Sequence, residues 1–288
     1  AFCLNILTII SYFFKYSFVF KNLFYISIYL SFLSILLSFI TLIGIYFVSD
    51  FSNYNVFQNS HSTKPILYKI SGSWGNHEGS MLLWLLMISF YSFLFSFNKT
   101  LKINTKDLTL FFQSILFILF SCFVIFTSNP FLKNPIKVNE GLGLNPILQD
   151  PALAIHPPLL YAGYVGFSLI LSLALSALVN NNIDRDWIKV IRRWSIFCWS
   201  ILTGGIAIGA HIKGLGKPHN GPDVIENMIC LCPNHHEQFD DYGYYIEPES
   251  FEIKGLENFE GKKITLNNKH KIDKDFLVYH FQQYKKNN

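Results

Sequence analysis

The chain has 288 residues, 51% of them hydrophobic and 15% charged, with 29 Phe, 15 Tyr, five Cys and a formal net charge of +4. So low a charged fraction, against a usual ~25%, excludes a disordered chain, a collagen-like repeat and a disulfide scaffold, and argues against one soluble globule. The average conceals a break. Residues 1–209 hold 13 basic against 7 acidic residues, a net of +6, while residues 210–288 hold 10 Lys against 12 acidic residues, a net of −2. All five Trp precede position 200, and six of the nine His follow 210. The two regions are therefore read as separate domains, 1–209 and 210–288.

The first region predicts membrane spans. A spanning helix needs ~20 apolar residues. Such runs lie at 23–48, 79–97, 109–129 and 159–179, and a shorter one lies at 194–210. Residues 2–20 form a sixth, weakened by Lys15. Strand-like alternation is missing, so the expected fold class is mainly α: a polytopic transmembrane bundle of five to six helices. The lipid bilayer is thus the first implied partner. Loops 98–108 and 180–193 carry seven basic residues, against four in the longer loops 49–78 and 130–158. The positive-inside rule puts the short basic loops inside and the long loops outside.

The outer loops hold the unusual strings: SDFSNYNVFQNS (49–60), YKISGSWGNHEGSMLLW (68–84) and EGLGLNPILQDPALAIHPPLLYAGYVGFS (140–168). The Pro, Gly and Asn content of residues 129–168 predicts a shaped loop rather than a helix. His156 precedes Pro157-Pro158 at the mouth of the fourth span. It reads either as an axial heme ligand or as a water-exposed interfacial imidazole. His77 and Glu78 read as loop packing and helix capping, and His61 as a solvated loop residue. Cys3, Cys122 and Cys198 read as small buried hydrophobes.

These strings, with RRWSIFCWSILTGGIAIG (192–209), closely resemble the cytochrome c maturation heme lyase subunit family CcmF. The resemblance implies heme as cofactor, with His156 an outward-facing axial ligand. It implies apocytochrome c and other maturation subunits as partners, and a bacterial or mitochondrial inner membrane as location. In that family the fifth helix leads into a tryptophan-rich heme cradle and further His ligands, which do not follow Gly209 here.

Residue 210 onward reads AHIKGLGKPHNGPDVIENMICLCPNHHEQFDDYGYYI. His211 ends a short apolar stretch, Asn227 follows a Gly/Pro-rich loop, and His236 and Asp240 at i, i+4 share a helical face. An imidazole and a carboxylate together suit a divalent metal at a phosphodiester. The pattern resembles the HNH endonucleases of the restriction type, which implies a small α+β domain of the ββα-metal kind. By that resemblance His211 is the general base, Asn227 orients it, and His236 with Asp240 binds a divalent ion such as Mg or Zn. Cys232 and His235 would share a structural zinc, although no upstream C-X-X-C precedes His211. His219, His270 and His280 read as solvated.

The two resemblances meet without a linker, and the net charge of −2 offers DNA little attraction. With the fifth helix exiting outward, the C-terminal module would lie away from DNA. The join therefore reads as chimeric. The principal expectation is heme handling for cytochrome c biogenesis. The alternative is a metal-dependent DNA endonuclease whose N-terminus has been replaced.

Overall fold

A computed structural model describes all residues except 136–137, 144–150, 182, 207–209, 216, 223, 230, 232, 257, 266–270 and 288. The chain divides into two compact units, Ala1–Leu202 and Thr203–Asn288.

The first unit is helical. Its elements are α1 (Phe2–Phe13), α2 (Phe18–Phe47), α3 (Tyr54–Asn59), α4 (Ile66–Gly72), α5 (His77–Ser96), α6 (Ile103–Thr127) and α7 (Pro151–Asn180), with most of α8 (Arg185–Ile206). Among the described residues four helices are long and apolar enough to cross a membrane: α2, α5, α6 and the Ala154–Asn180 stretch of α7.

These helices bury polar residues beside their apolar core and expose apolar ones. On α1 the buried residues are Asn5, Thr8 and Ser11, whereas Ile6, Ile10 and Phe13 are exposed. On α2, Ser27 and Ser31 are buried and Leu30, Leu33, Leu37 and Ile40 face outward. Lipid tails are as apolar as leucine, so helix association there rests on small residues and interhelical hydrogen bonds. The bonds are present: Asn5 Nδ2 to Ser31 Oγ at 2.6 Å, Thr8 to Ser27 at 2.7 Å, and Thr109 Oγ1 to Ser176 Oγ at 3.0 Å. Gly163 and Gly166 let α7 approach α8. A Cβ at Gly163 would sit 2.5 Å from Leu202 Cα, and one at Gly166 would sit 2.4 Å from Cys198 Sγ.

Three features differ from the sequence reading. The run at 2–20 is broken, because α1 ends at Phe13 and α2 begins at Phe18. Lys15, at the turn, points its ammonium at the buried Asp107 (3.8 Å), which also accepts from Tyr25 OH at 2.5 Å. The fifth run occupies the second half of α8, whose first half carries Arg185, Asp186, Lys189, Arg192 and Arg193; α8 is not among the membrane-capable helices. The third difference is that residues 151–158, read as loop, are the first turns of α7. Of the free cysteines Cys198 is buried as expected, but Cys3 is exposed and Cys122 half-buried.

The second unit has β1 (Ala210–His211) antiparallel to β2 (Met228–Ile229), then α9 (Pro233–Asp240). A second antiparallel pair, β3 (Tyr245–Ile246) with β4 (Ile253–Lys254), and the helix α10 (Lys274–Asn287) follow. The order β1-β2-α9 is the ββα order that the sequence implied. Ile212, Ile229, Phe239, Tyr244, Ile246 and Leu277 form the core.

Candidate functional site

In the membrane unit the quoted strings converge on the ends of α2, α5 and α7. Asn76 caps α5: its Oδ1 accepts from Gly79 N at 2.8 Å, while Glu78 stands in the first turn as expected. Its Nδ2 donates to Gly72 O at 2.6 Å and Tyr46 OH at 3.0 Å. Tyr46 OH in turn donates to Asn55 Oδ1, and Asn55 Nδ2 donates to Asn76 Oδ1 at 3.0 Å and Glu78 Oε2 at 3.5 Å. The string at 49–60 is thereby tied to the string at 68–84 through buried, mutually satisfied amides. Such a network specifies geometry and leaves no group poised for proton transfer. His77 lies beside it, with Nε2 2.9 Å from Ser128 Oγ and its ring edge-on to Phe123.

The EGLG string is pinned to the same loops. Leu142 N donates to Phe57 O (2.8 Å) and Gly143 N to Ser60 O (3.1 Å). A Cβ at Gly141 would lie 2.1 Å from Ser60 O, and Gly143 has φ +95°, so glycine fits both places. Glu140 accepts from Ser62 Oγ at 2.5 Å and lies 3.5 Å from His61 Nε2. The Ser62 hydroxyl holds the Glu140 carboxyl below the usual carboxylate range. His61 is therefore a loop-tying residue, rather than simply solvated.

His156 lies within the opening turns of α7 and not ahead of it, and it is half-buried. Pro157 and Pro158 are inside the helix. A proline lacks the N–H that would bond the carbonyl four residues back, so Pro158 leaves Ala154 O without its helical donor. Trp74 supplies the replacement, with its indole Nε1 2.9 Å from Ala154 O. This tertiary hydrogen bond satisfies one of the carbonyls the prolines free and fixes the HPP segment to the SWGNHEG string. Neither Trp74 nor the amide network was singled out in the sequence. The signal was available, because helical prolines leave a carbonyl that some donor must satisfy.

In the second unit a cavity of roughly 290 Å³ is lined by His211, His219, His236, Asp240, Tyr242 and His280, among others. His236 Nε2 and Asp240 Oδ2 are 3.3 Å apart, as the i, i+4 spacing predicts. Asn227 is fully buried. Its Oδ1 accepts from Lys213 N (2.8 Å), and Nδ2 donates to Lys213 O (2.9 Å) and Pro222 O (2.8 Å). Both amide hydrogens serve the backbone, so Asn227 fixes the loop two residues beyond His211. His235 stands edge-on to Tyr244 and Phe259, while Cys232 and His270 lie outside the described residues. Among the described residues no group of three or more His, Cys, Asp or Glu is placed to hold a metal ion. The His236–Asp240 pair falls short of a closed metal site.

Two further histidines depart from their solvated reading. His219 Nδ1 lies 2.7 Å from Tyr279 OH. His280 is 2% exposed, stacks on the Phe239 ring at 3.7 Å, and Nε2 donates to Phe239 O at 2.8 Å. Burial lowers its pKa from 6.5 to about 4. The unfolded chain binds the extra proton between those values, so stability is intact above about pH 6.5 and falls as pH drops toward 4. The full loss is about 3 kcal/mol. Hydrogen exchange of the α9 and α10 amides is expected to accelerate markedly from pH 7 to pH 5 after correction for intrinsic rates; equal protection at both would contradict the assignment.

Comparison with known proteins follows the two units. The family described as cytochrome C assembly protein matches residues 74–211, and the HNH endonuclease family matches 197–247. The two matches share residues 197–211. The cytochrome c-type biogenesis protein CycK of Rhizobium meliloti (strain 1021) is 49% identical over 181 residues, 62% of this chain and 27% of its own. The cytochrome c-type biogenesis protein CcmF of Escherichia coli (strain K12) is 38% identical over 184 residues, 63% of this chain and 28% of its own.

The membrane unit is CcmF-like. A solved cytochrome c heme lyase CcmF superposes with a TM-score of 0.62 at 24% identity, over 73% of this chain and 33% of that one, which establishes the shared fold. This chain spans about a quarter of the length of the curated relatives it matches. Its four apolar helices and its CcmF-like sequence make it an integral membrane protein. The C-terminal region resembles an HNH endonuclease, so the chain carries likenesses to two unlike families.

Proposed function

We propose that the membrane unit handles heme for covalent attachment to apocytochrome c, in company with other maturation subunits, in a bacterial or mitochondrial inner membrane. The observation that carries this reading is the fixation of the HPP segment. His156 sits on the opening turns of a spanning helix whose freed carbonyl is capped by Trp74 of the SWGNHEG string. An imidazole held half-buried at a membrane boundary suits an axial iron ligand. Loop charge directs that end of the helix outward, toward the compartment where cytochromes c are assembled.

Heme, when bound, supplies the vinyl groups that become joined to cysteine thiols. The chain's own part is to present His156 in one orientation and to keep the loops at 49–84 and 140–143 locked beside it. The second unit, with its net charge of −2 and no described group of three or more His, Cys, Asp or Glu placed to hold a metal, supports the DNA-cleaving alternative less well.

The test is hemin titration of the full chain in uncharged detergent. A saturable Soret band at one heme per chain, above that of detergent alone, is expected. A spectrum indistinguishable from detergent with hemin would contradict the proposal.

A further inference from the structure

A cavity of roughly 430 Å³ opens where the last turn of α5 meets α8. Val190, Arg193, Trp194 and Phe197 form one face of α8 at i, i+3, i+4, i+7, and Leu94, Asn98 and Thr100 complete the walls. The apolar side is partly open: Leu94 is 36% and Phe197 46% exposed. Trp194 is fixed between Tyr91, Phe95 and Phe197 by edge-on ring contacts. The place is a membrane–water boundary, because α5 is a spanning helix and the loop after it carries Lys99 and Lys102.

The polar side is formed by Arg193, Asn98 and Thr100, with no carboxylate among the described lining residues. Asn98 Oδ1 accepts from Thr100 N and Leu101 N, both at 3.0 Å, which fixes the loop and turns the amide donors to other use. Arg193 has no hydrogen bond or ion pair with any described residue.

The carboxylates of loops 98–108 and 180–193 are all engaged elsewhere. Asp107 binds Tyr25 and Lys15, Asp184 binds Trp187 N (2.9 Å) and Lys102 (3.3 Å), and Asp186 binds Lys189 (3.2 Å). Arg193 is left uncompensated beside an apolar wall. That combination favours a ligand with an anionic head and a hydrocarbon tail.

We propose that this cavity binds an anionic phospholipid. Its phosphodiester is held by Arg193, the Asn98 amide and the Thr100 hydroxyl, and one acyl chain lies along Leu94 and Phe197. The site is distinct from the heme-handling end and stands whether or not heme binds.

Native mass spectrometry of the full chain in uncharged detergent tests it. Titrants are phosphatidylglycerol, phosphatidylcholine with the same chains, and inorganic phosphate. Phosphatidylglycerol should bind most tightly. Arg193→Gln should weaken it about fivefold, the effect of one basic residue near an anionic headgroup. Arg192→Gln, an exposed neighbour off the cavity face, should leave it unchanged, and Arg193→Lys should retain most of it, which separates loss of charge from loss of fold. Equal binding of phosphatidylcholine, equal weakening by Arg192→Gln, failure of Arg193→Lys to retain the lipid, or Arg193-dependent binding of phosphate without the lipid would each overturn the proposal.

Discussion

Gly79→Ala is expected to destabilise the membrane unit by about 3 kcal/mol, the upper end for forcing a methyl into a packed site. A Cβ there would lie 1.8 Å from Ser73 O and 2.8 Å from Ser73 C, both backbone atoms that cannot swing away. Relief requires the α4–α5 junction to separate. That junction carries the Asn76 cap and its bonds to Gly72, Tyr46 and Gly79, so the amide network would open with it. Thermal unfolding in detergent measures the effect. Gly44→Ala, where nothing lies within 4 Å of the added carbon, is the internal comparison and should be near neutral. Equal melting of the two variants would refute the packing argument.

Asn227→Ala should unfold the second unit alone. The side chain is fully buried and makes three backbone hydrogen bonds, so truncation strands one N–H and two carbonyls near β1 and β2. Each bond contributes about 1 kcal/mol, and a stranded buried group costs more. For a unit with two-residue strands and a small core, a total of about 3–5 kcal/mol is most of its stability. Limited proteolysis is expected to cleave within 203–288 while the α5–α7 region resists. A variant as resistant as the parent would show that Asn227 is not a structural staple. Asn227→Asp, which removes both amide hydrogens and buries a carboxylate, should behave like the alanine variant.

Much of the membrane unit was legible because lipid imposes a coarse rule: long apolar runs become helices. The quantities that the rule misses are tertiary. Lys15 looked like a flaw in a span, yet it answers Asp107, far along the chain on α6. Pro157 and Pro158 read as loop residues, because proline inside a helix costs a hydrogen bond; Trp74, from another helix–loop junction, replaces the one at Ala154 O. The i, i+4 pairing of His236 with Asp240 was readable because the geometry of a single helix sets it. The burial of His280 was not, since it depends on α10 folding back on Phe239, a contact across forty-one positions. Asn227 stands out by pattern, but its three bonds to the backbone of Lys213 and Pro222 depend on the folded loop and are not visible in the pattern.

The most direct test is the Soret absorbance of His156→Ala after hemin loading in detergent, read against the parent chain and again with added imidazole. If His156 is the axial ligand, the band is lost in the variant and returns when imidazole replaces the missing side chain. A variant whose Soret band matches that of the parent would contradict the assignment.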